Sequence, residues 1–209
     1  HVHYALKANA NPVILSHIQQ AGLGADCVSG GEVQRAIESG FPAQQIVYAG
    51  VGKSDREIQS ALQHDILCFN VESIPELQVI NEIAAQQNQV ARVCLRINPD
   101  VAAHTHQFIA TGKAENKFGI AYADMMEVIQ IASHLEHIQL IGLHFHIGSQ
   151  ITDMNDYIHL CERINTIQSM LEEQSIHLSL INVGGGLGVD YENPAIGAIP
   201  DFKEIGRAH

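Results

Sequence analysis

The 209-residue sequence is poor in basic residues. Eleven lysines and arginines stand against 23 aspartates and glutamates, which gives a formal charge of -12 at pH 7. Nucleic-acid-binding domains need clustered Lys and Arg to contact phosphates, so we expect no nucleic-acid partner. The sequence also lacks the apolar run of about 18 residues that a transmembrane helix needs, so we predict no membrane span. No signal peptide is recognised before the first predicted strand.

Cysteines are few and far apart. Cys27, Cys68, Cys94 and Cys161 show no C-x-x-C spacing. We therefore predict reduced, mostly buried thiols and a cytoplasmic location. Apolar residues make up 46% of the chain, which is enough for a sizeable core and excludes a disordered chain.

Short apolar runs alternate with helical patterns along the chain. Apolar residues spaced i, i+3, i+4 predict helices over 55–63, 75–85 and 125–135. Ser54 and Glu57 form a predicted capping box at the start of the first of these helices. The predicted strands cover seven segments: 1–7, 24–29, 45–50, 66–71, 91–98, 140–148 and 178–186. Buried strands that alternate with helices predict a parallel sheet covered by helices.

Two parallel architectures compete, a (β/α)8 barrel and an open doubly wound sheet. The first four strands recur about every 21 residues, close to the shortest repeat of a barrel. Several strands carry chemical groups on one face, including Lys7, Arg96 and His146, and a barrel would gather such groups at its inner mouth. We therefore predict an α/β fold, a (β/α)8 TIM-type barrel truncated to about seven strands. Residues 1–209 would form a single incomplete domain.

Lys7, at the end of the first predicted strand, has two interpretations. A lysine at a strand end is usually a solvated surface residue. Alternatively, a partly desolvated pocket would lower its pKa and leave a neutral amine that forms a Schiff base. Asp26, at the end of the second strand, could hold the charge of such a lysine, while the neighbouring Ser29 is a predicted helix N-cap. The residues alone favour neither interpretation.

Glycines and histidines follow or end two later strands. Gly184, Gly185 and Gly186 expose backbone N–H groups that can bind phosphate, although a flexible turn is the alternative. His144 and His146 share a predicted strand face, as metal ligands often do. The spacing shows no third ligand, so no metal site is predicted. A metal-dependent hydrolase built on these two histidines is kept as an alternative function. One imidazole can instead stack on an aromatic cofactor.

Eight blocks of the chain match one protein family in the same order: HYALKANANP, ADCVSGGEV, VYAGVGKSDREI, FNVESIPEL, LRINPDVAAHTH, TGKAENKFGI, GLHFHIGSQI and NVGGGLGVDY. They resemble the blocks of diaminopimelate decarboxylases, which use pyridoxal 5'-phosphate and have an alanine-racemase-like barrel. The Y-A-x-K-A-N pattern is shared with ornithine and arginine decarboxylases. The RINP, HTH, TGK and NKFG segments are typical of the diaminopimelate branch.

The resemblance implies pyridoxal 5'-phosphate as the cofactor and a role for each matching residue. Lys7 would carry the cofactor, and His146 would stack on its pyridine ring; these two are the predicted catalytic residues. Asp26 and Arg96 would support the lysine and the ring. The implied phosphate ligands are Ser149, Gly184, Gly185 and Gly186. The 99–119 loop would lie over the site with His104, His106 and Lys113.

The reaction implied by the resemblance converts meso-2,6-diaminopimelate, a small amino-acid substrate, to L-lysine and CO2, the last step of lysine biosynthesis. The full-length enzyme would be a homodimer. A non-catalytic pyridoxal-phosphate-binding barrel and a decarboxylase of the ornithine or arginine type are the alternatives. The family's eighth strand, its E-P-G-R block and its C-terminal β-domain are expected to be absent. The chain is therefore expected to be a fragment that is inactive alone.

Overall fold

The computed structural model describes residues 1–100, 118–189 and 191. Within these residues, strands and helices alternate as the sequence predicts. The strands are β1 (His3–Ala5), β2 (Gly24–Cys27), β3 (Ile46–Tyr48), β4 (Cys68–Val71), β5 (Ala91–Asn98), β6 (Ile120–Ala121), β7 (Ile138–His144) and β8 (Leu180–Asn182). The α-helices are α1 (Pro12–Gln20), α2 (Gly30–Glu38), α3 (Asp55–Gln63), α4 (Ile74–Gln86), α5 (Met125–Ser133) and α6 (Asn155–Glu173).

The chain divides into two compact units. The first unit contains His1–Leu95 and Met126–Gly142, and the second contains Arg96–Met125 and Leu143–His209. Each unit is described by itself. The prediction of a single domain over residues 1–209 stays a prediction.

The first unit contains a run of neighbouring parallel strands in the order β1, β2, β3, β4, β5. The register pairs Ala5 with Asp26, Asp26 with Val47, and Asn70 with Cys94. Since partners in adjacent parallel strands point to the same face, these positions define one face of the sheet. The opposite face carries large, fully buried side chains, among them Tyr48 and Phe69.

The helices of the first unit form where the apolar spacing predicts them. α3 covers 55–63 as predicted, and it buries Ile58, Ala61 and Leu62. Its predicted capping box is present, with Glu57 Oε2 accepting a hydrogen bond from Ser54 N at 3.0 Å. Helices 75–85 and 125–135 are also confirmed, as α4 and α5, with ends that differ from the predicted ones by two residues or fewer.

The second unit contains the end of β5, the short β6, the end of β7, α6 and β8. Ile97 in β5 pairs with Ile120 in β6 in parallel. Phe145, just after β7, donates its N–H to the carbonyl of Asn182 at the end of β8 (2.8 Å). α6 buries an apolar stripe at helical spacing: Leu160, Ile164, Ile167 and Leu171.

All seven predicted strands are present, but five of them end earlier than predicted. The segments 1–7, 24–29 and 45–50 each end two residues early, and the segments 140–148 and 178–186 each end four residues early. The lost ends include buried apolar residues, among them Leu6, Phe145 and Ile147, so the apolar runs continue beyond the last strand residue. β6 was not predicted, because two residues carry too little periodicity to be recognised.

The cysteine prediction is confirmed in its main part. All four thiols are free; Cys27, Cys68 and Cys94 are buried, and Cys161 is half-buried. Across the part of the chain that the structure describes, no helix has the length and apolar character needed to cross a membrane.

Candidate functional site

Lys7 lies at the carboxyl end of β1, but it is not a strand residue. Residues Leu6–Ala8 form a single 3-10 turn, in which Leu6 is buried and Lys7 is exposed. Among the described residues, the Lys7 side chain has no hydrogen-bond or ion-pair partner. The expected desolvated pocket around Lys7 is therefore not formed by these residues, and its amine stays open to a ligand.

Asp26 is the predicted neighbour of Lys7 in the first unit. It lies in β2, half-buried, with Ala5 as its register partner in β1. Lys7 follows Ala5 by two residues, so the register places the carboxylate-bearing position close to the segment that carries the lysine. Ser29, two residues after β2, caps α2 as predicted, since its Oγ accepts from Glu32 N at 3.2 Å.

Lys53, which follows β3, shows how the same unit uses a second lysine. Its side chain is 1% exposed, and its Nζ donates to Gly50 O (2.7 Å), Asn70 O (2.9 Å) and Glu76 Oε1 (2.6 Å). The ammonium also lies 5.4 Å from the ring centroid of Tyr48. All three N–H donors of Lys53 are therefore used within the protein, which leaves none for a ligand.

Glycines 184 to 186 follow β8 in the second unit, and two of them allow close backbone contacts. Gly184 has φ +76, and a Cβ there would lie 3.2 Å from His146 Nδ1. Gly186 has φ +100, and a Cβ there would collide with the carbonyl oxygen of Gly148. Both positions require glycine, because L side chains strain at these φ values and have no space. The glycine segment therefore lies directly against the His146–Gly148 segment.

Gly185 differs from its two neighbours. It is exposed, its φ is not in the left-handed region, and a Cβ there would meet nothing within 4 Å. Among the described residues, the N–H groups of Gly185 and Gly186 have no hydrogen-bond acceptor, whereas Gly184 N donates to Asn182 Oδ1 at 2.9 Å. Two open N–H groups beside unfilled space form the kind of site that binds an anion.

Two side chains hold this glycine segment and the residues that follow it. Gln150 donates from Nε2 to Val189 O and accepts from Val189 N at 3.1 Å. Tyr157, in the first turn of α6, donates its hydroxyl to Gly185 O at 3.1 Å. Burial, helped by the charge of Asp156, raises the pKa of Tyr157 to about 12, so this hydroxyl stays protonated at neutral pH.

Arg96 and the described start of the segment after the long loop lie together in the second unit. Arg96 is half-buried in β5, and its guanidinium carbon is 5.5 Å from the ring centroid of Phe118. Gly119 has φ +79, and a Cβ there would be 2.9 Å from Arg96 O. The close approach of Gly119 lets residues 120–121 pair with β5 beside Arg96.

The remaining predicted residues divide into described and undescribed ones. Ser149 is exposed and follows Gly148 in the segment that contacts the glycines. His144 is 7% exposed at the end of β7, whereas His146 lies beyond the strand and is half-buried. The described residues contain no cluster of three or more His, Cys, Asp or Glu side chains placed to hold a metal. His104, His106 and Lys113 lie outside the described residues.

Sequence reasoning missed the side chains that support the site. Tyr157 and Asn182 each make one hydrogen bond to the glycine segment, and Gln150 makes two to Val189, which follows it. Polar residues of these types are common on any surface, and nothing in their spacing shows which backbone group they will contact. Gln150 and Asn182 carried a signal, because they belong to the GLHFHIGSQI and NVGGGLGVDY blocks.

The family model for the pyridoxal-binding domain of pyridoxal-dependent decarboxylases matches residues 1–205. The diaminopimelate decarboxylase of Bacteroides thetaiotaomicron is 60% identical over 202 residues, which cover 97% of this chain and 52% of that protein. The chain spans about half the length of the curated relatives it matches.

Two solved diaminopimelate decarboxylases, both in complex with L-lysine, are similar in structure. The M. jannaschii enzyme has a TM-score of 0.90 and 40% identity, with coverage of 99% of this chain and 48% of its own. The Helicobacter pylori enzyme has a TM-score of 0.89 and 42% identity, with coverage of 99% and 53%. The predicted fold class, an α/β TIM-type barrel truncated to about seven strands, is confirmed. The chain belongs to the pyridoxal-dependent decarboxylases, and it matches their pyridoxal-binding domain.

Proposed function

We propose that this chain is the cofactor-binding part of a diaminopimelate decarboxylase, which converts meso-2,6-diaminopimelate to L-lysine and CO2. The observation that carries the proposal is the 60% identity to a diaminopimelate decarboxylase over 97% of the chain. The L-lysine in two solved relatives agrees with lysine as the product. The substrate would be a small amino acid with two amine-bearing centres.

The glycine segment fits the phosphate group of pyridoxal 5'-phosphate. The open N–H groups of Gly185 and Gly186 can donate to phosphate oxygens, and the space beside Gly185 is not filled by protein. Ser149, exposed in the segment that contacts the glycines, adds a hydroxyl donor. We assign phosphate binding to Ser149, Gly184, Gly185 and Gly186. Gly184 acts by close packing, because its own N–H is occupied by Asn182.

Lys7 is the residue we assign to hold the cofactor. Of the two lysines in the described ranges, it alone has an amine without protein acceptors, whereas Lys53 uses every donor. Asp26 would stabilise the charge of Lys7 in its protonated form, since its register partner is Ala5.

His146 and Arg96 are assigned to the ring of the cofactor. His146 is half-buried and lies against Gly184, so its imidazole is held next to the proposed phosphate ligands. This position suits stacking on an aromatic ring. Arg96, half-buried and packed on Phe118, would orient the same ring by hydrogen bonding.

When bound, pyridoxal 5'-phosphate supplies the electron sink for loss of the substrate carboxylate as CO2. The residues of this chain bind and orient the reacting groups. Lys7 would hold the cofactor through Nζ and could carry a proton to or from the reacting carbon. The hydrogen-bonded glycine segment would hold the phosphate group and thereby orient the cofactor for the reaction.

Two further assignments for the whole protein belong to this proposal. We expect a homodimer, and we expect it to be found in the cytoplasm. Sedimentation equilibrium of the full-length protein and cell fractionation measure these properties directly. A monomer at micromolar concentration would contradict the first, and export from the cytoplasm the second.

The proposal is tested by assaying the protein at the length its gene encodes, with pyridoxal 5'-phosphate and meso-2,6-diaminopimelate. Equimolar lysine and CO2 are expected, and neither should form above background from ornithine or arginine. CO2 release from ornithine or arginine alone would assign the protein to another branch of the family. Binding of the cofactor without CO2 release from any of the three would support a non-catalytic barrel.

A further inference from the structure

Tyr157 controls the direction of one of the open N–H groups. Its hydroxyl donates to Gly185 O at 3.1 Å. In a trans peptide, the carbonyl of one residue and the N–H of the next point in opposite directions. The hydrogen bond from Tyr157 therefore turns Gly186 N–H away from α6, and within the described residues this N–H meets no acceptor.

The Gly185–Gly186 peptide is oriented by a hydrogen bond from a residue outside the glycine segment. Gly185 has open space in its Cβ direction, so no contact on that side restricts the peptide planes that it joins. Gly184 N is fixed by Asn182 Oδ1, and Gly186 O accepts from Ile151 N at 2.9 Å. The peptide between Gly185 and Gly186 lies between these two fixed points, and Tyr157 supplies its hydrogen bond.

We propose that Tyr157 is a positioning residue that orients the Gly185–Gly186 peptide so that its N–H binds the phosphate group of the cofactor. This inference rests on the proposed function, because it assigns the phosphate to the glycine segment. Tyr157 acts through its hydrogen bond to Gly185 O. The raised pKa of Tyr157, about 12, keeps the hydroxyl a donor throughout the pH range of the enzyme.

If Tyr157 has this role, its hydroxyl should matter for binding of pyridoxal 5'-phosphate but not for binding of pyridoxal, which has no phosphate group. Tyr157→Phe removes the hydroxyl and keeps the ring, so the fold is preserved while the peptide plane is released. The affinity for pyridoxal 5'-phosphate should fall by about 3- to 10-fold, the equivalent of one hydrogen bond. The affinity for pyridoxal, which lacks the phosphate, should not change.

Tyr122→Phe is the matched control in the same unit. Tyr122 donates to Met170 Sδ at 3.2 Å and packs under Arg163, away from the glycine segment. This variant should bind both ligands as the unmodified protein does. Thermal unfolding without ligand shows that both variants are folded before titration.

The experiment titrates the cofactor-free, full-length protein with pyridoxal 5'-phosphate and with pyridoxal, and it follows the absorbance of the bound form. The proposal is supported if the ratio of pyridoxal 5'-phosphate affinity to pyridoxal affinity falls in Tyr157→Phe and not in Tyr122→Phe. Weaker competition by inorganic phosphate in Tyr157→Phe supports it too. An unchanged ratio in Tyr157→Phe overturns the proposal, whether both affinities stay the same or both fall equally. If the unmodified protein binds neither ligand, the proposed function itself fails, and this inference fails with it.

Discussion

Lys7 and Lys53, the two lysines in the described ranges, each follow a strand of the first unit, but their surroundings differ. Lys53 is 1% exposed and donates to two carbonyl oxygens and to Glu76, so it fastens the β3–α3 segment to β4 and α4. Lys7 is exposed on a single 3-10 turn and has no such partner among the described residues. A lysine whose donors are satisfied is structural, whereas one left open can react.

The same contrast recurs within the glycine segment of the second unit. Gly184 and Gly186 are pressed against His146 and Gly148, and their left-handed φ values exclude other residues. Gly185 touches nothing in the direction of a Cβ. In each unit, the candidate functional residue is the one that other protein groups leave accessible to a ligand: Lys7 in the first unit and Gly185 in the second.

The largest expected effect comes from Lys7→Ala. If Lys7 carries the cofactor, the variant should lose at least about 100-fold in decarboxylation rate, because a covalent and proton-carrying group is removed. Its unfolding midpoint in urea should stay close to that of the unmodified protein, since the exposed Lys7 side chain makes no hydrogen bond or ion pair in the described residues. Retained activity would place the reactive amine elsewhere.

Lys53→Met should mainly lower the stability of the fold, in contrast to Lys7→Ala. Its removal leaves the carboxylate of Glu76, 13% exposed, without its cation, and should cost about 3 kcal/mol in the free energy of unfolding. Arg35→Met is the control, because the exposed Arg35–Glu38 pair at 3.6 Å should contribute less than about 1 kcal/mol. Urea denaturation measures both. Equal losses would show that Lys53 is not a structural anchor.

The glycine contrast predicts different results for two alanine variants. Gly186→Ala should lower the free energy of unfolding by about 1–3 kcal/mol, because φ +100 and the carbonyl of Gly148 both oppose a Cβ. Gly185→Ala should fold normally but bind pyridoxal 5'-phosphate about 3- to 10-fold more weakly, since the methyl group fills the open side. Equal cofactor affinity in Gly185→Ala would contradict the assigned phosphate site.

The smallest expected effect is a pH dependence at Glu57, in the structural part of the first unit. Hydrogen bonds from Ser54 and Gly30 hold the pKa of Glu57 below its ordinary value of 4.5. A carboxyl pKa that is lowered in the folded state stabilises the fold at pH values above the ordinary pKa. This stabilisation is lost as the pH falls through the pKa of the folded state. Glu57→Gln should therefore reduce stability at neutral pH and converge with the unmodified protein in acid. A constant difference at all pH values would disprove the linkage.

The sequence predicted the repeating pattern of the fold well, because buried strands and amphipathic helices have clear periods. It placed Lys7, His146 and Gly184 inside strands, whereas each lies just beyond one. Strand ends are hard to predict here, since apolar residues such as Leu6, Phe145 and Val183 follow the last strand residue directly. This is also where barrel enzymes place functional groups.

Spacing identifies a strand face, but not the end of the strand to which a side chain reaches. Arg92 shares a face of β5 with Arg96, yet it binds Asp65 Oδ1 at 2.6 Å and the carbonyl of Leu67 at 2.9 Å, which precede β4. Arg92 is therefore a structural residue. The long-range hydrogen bonds of Lys53, Gln150 and Tyr157 could not be predicted either, because they depend on side-chain placement in the folded chain.

The most direct test of the account is to find the lysine that carries the cofactor. The full-length protein is incubated with pyridoxal 5'-phosphate, reduced with borohydride, digested, and mapped by mass spectrometry. The account predicts a phosphopyridoxyl group on Lys7 and an unmodified Lys53. A label on Lys53 or on any other lysine, with Lys7 free, would contradict it.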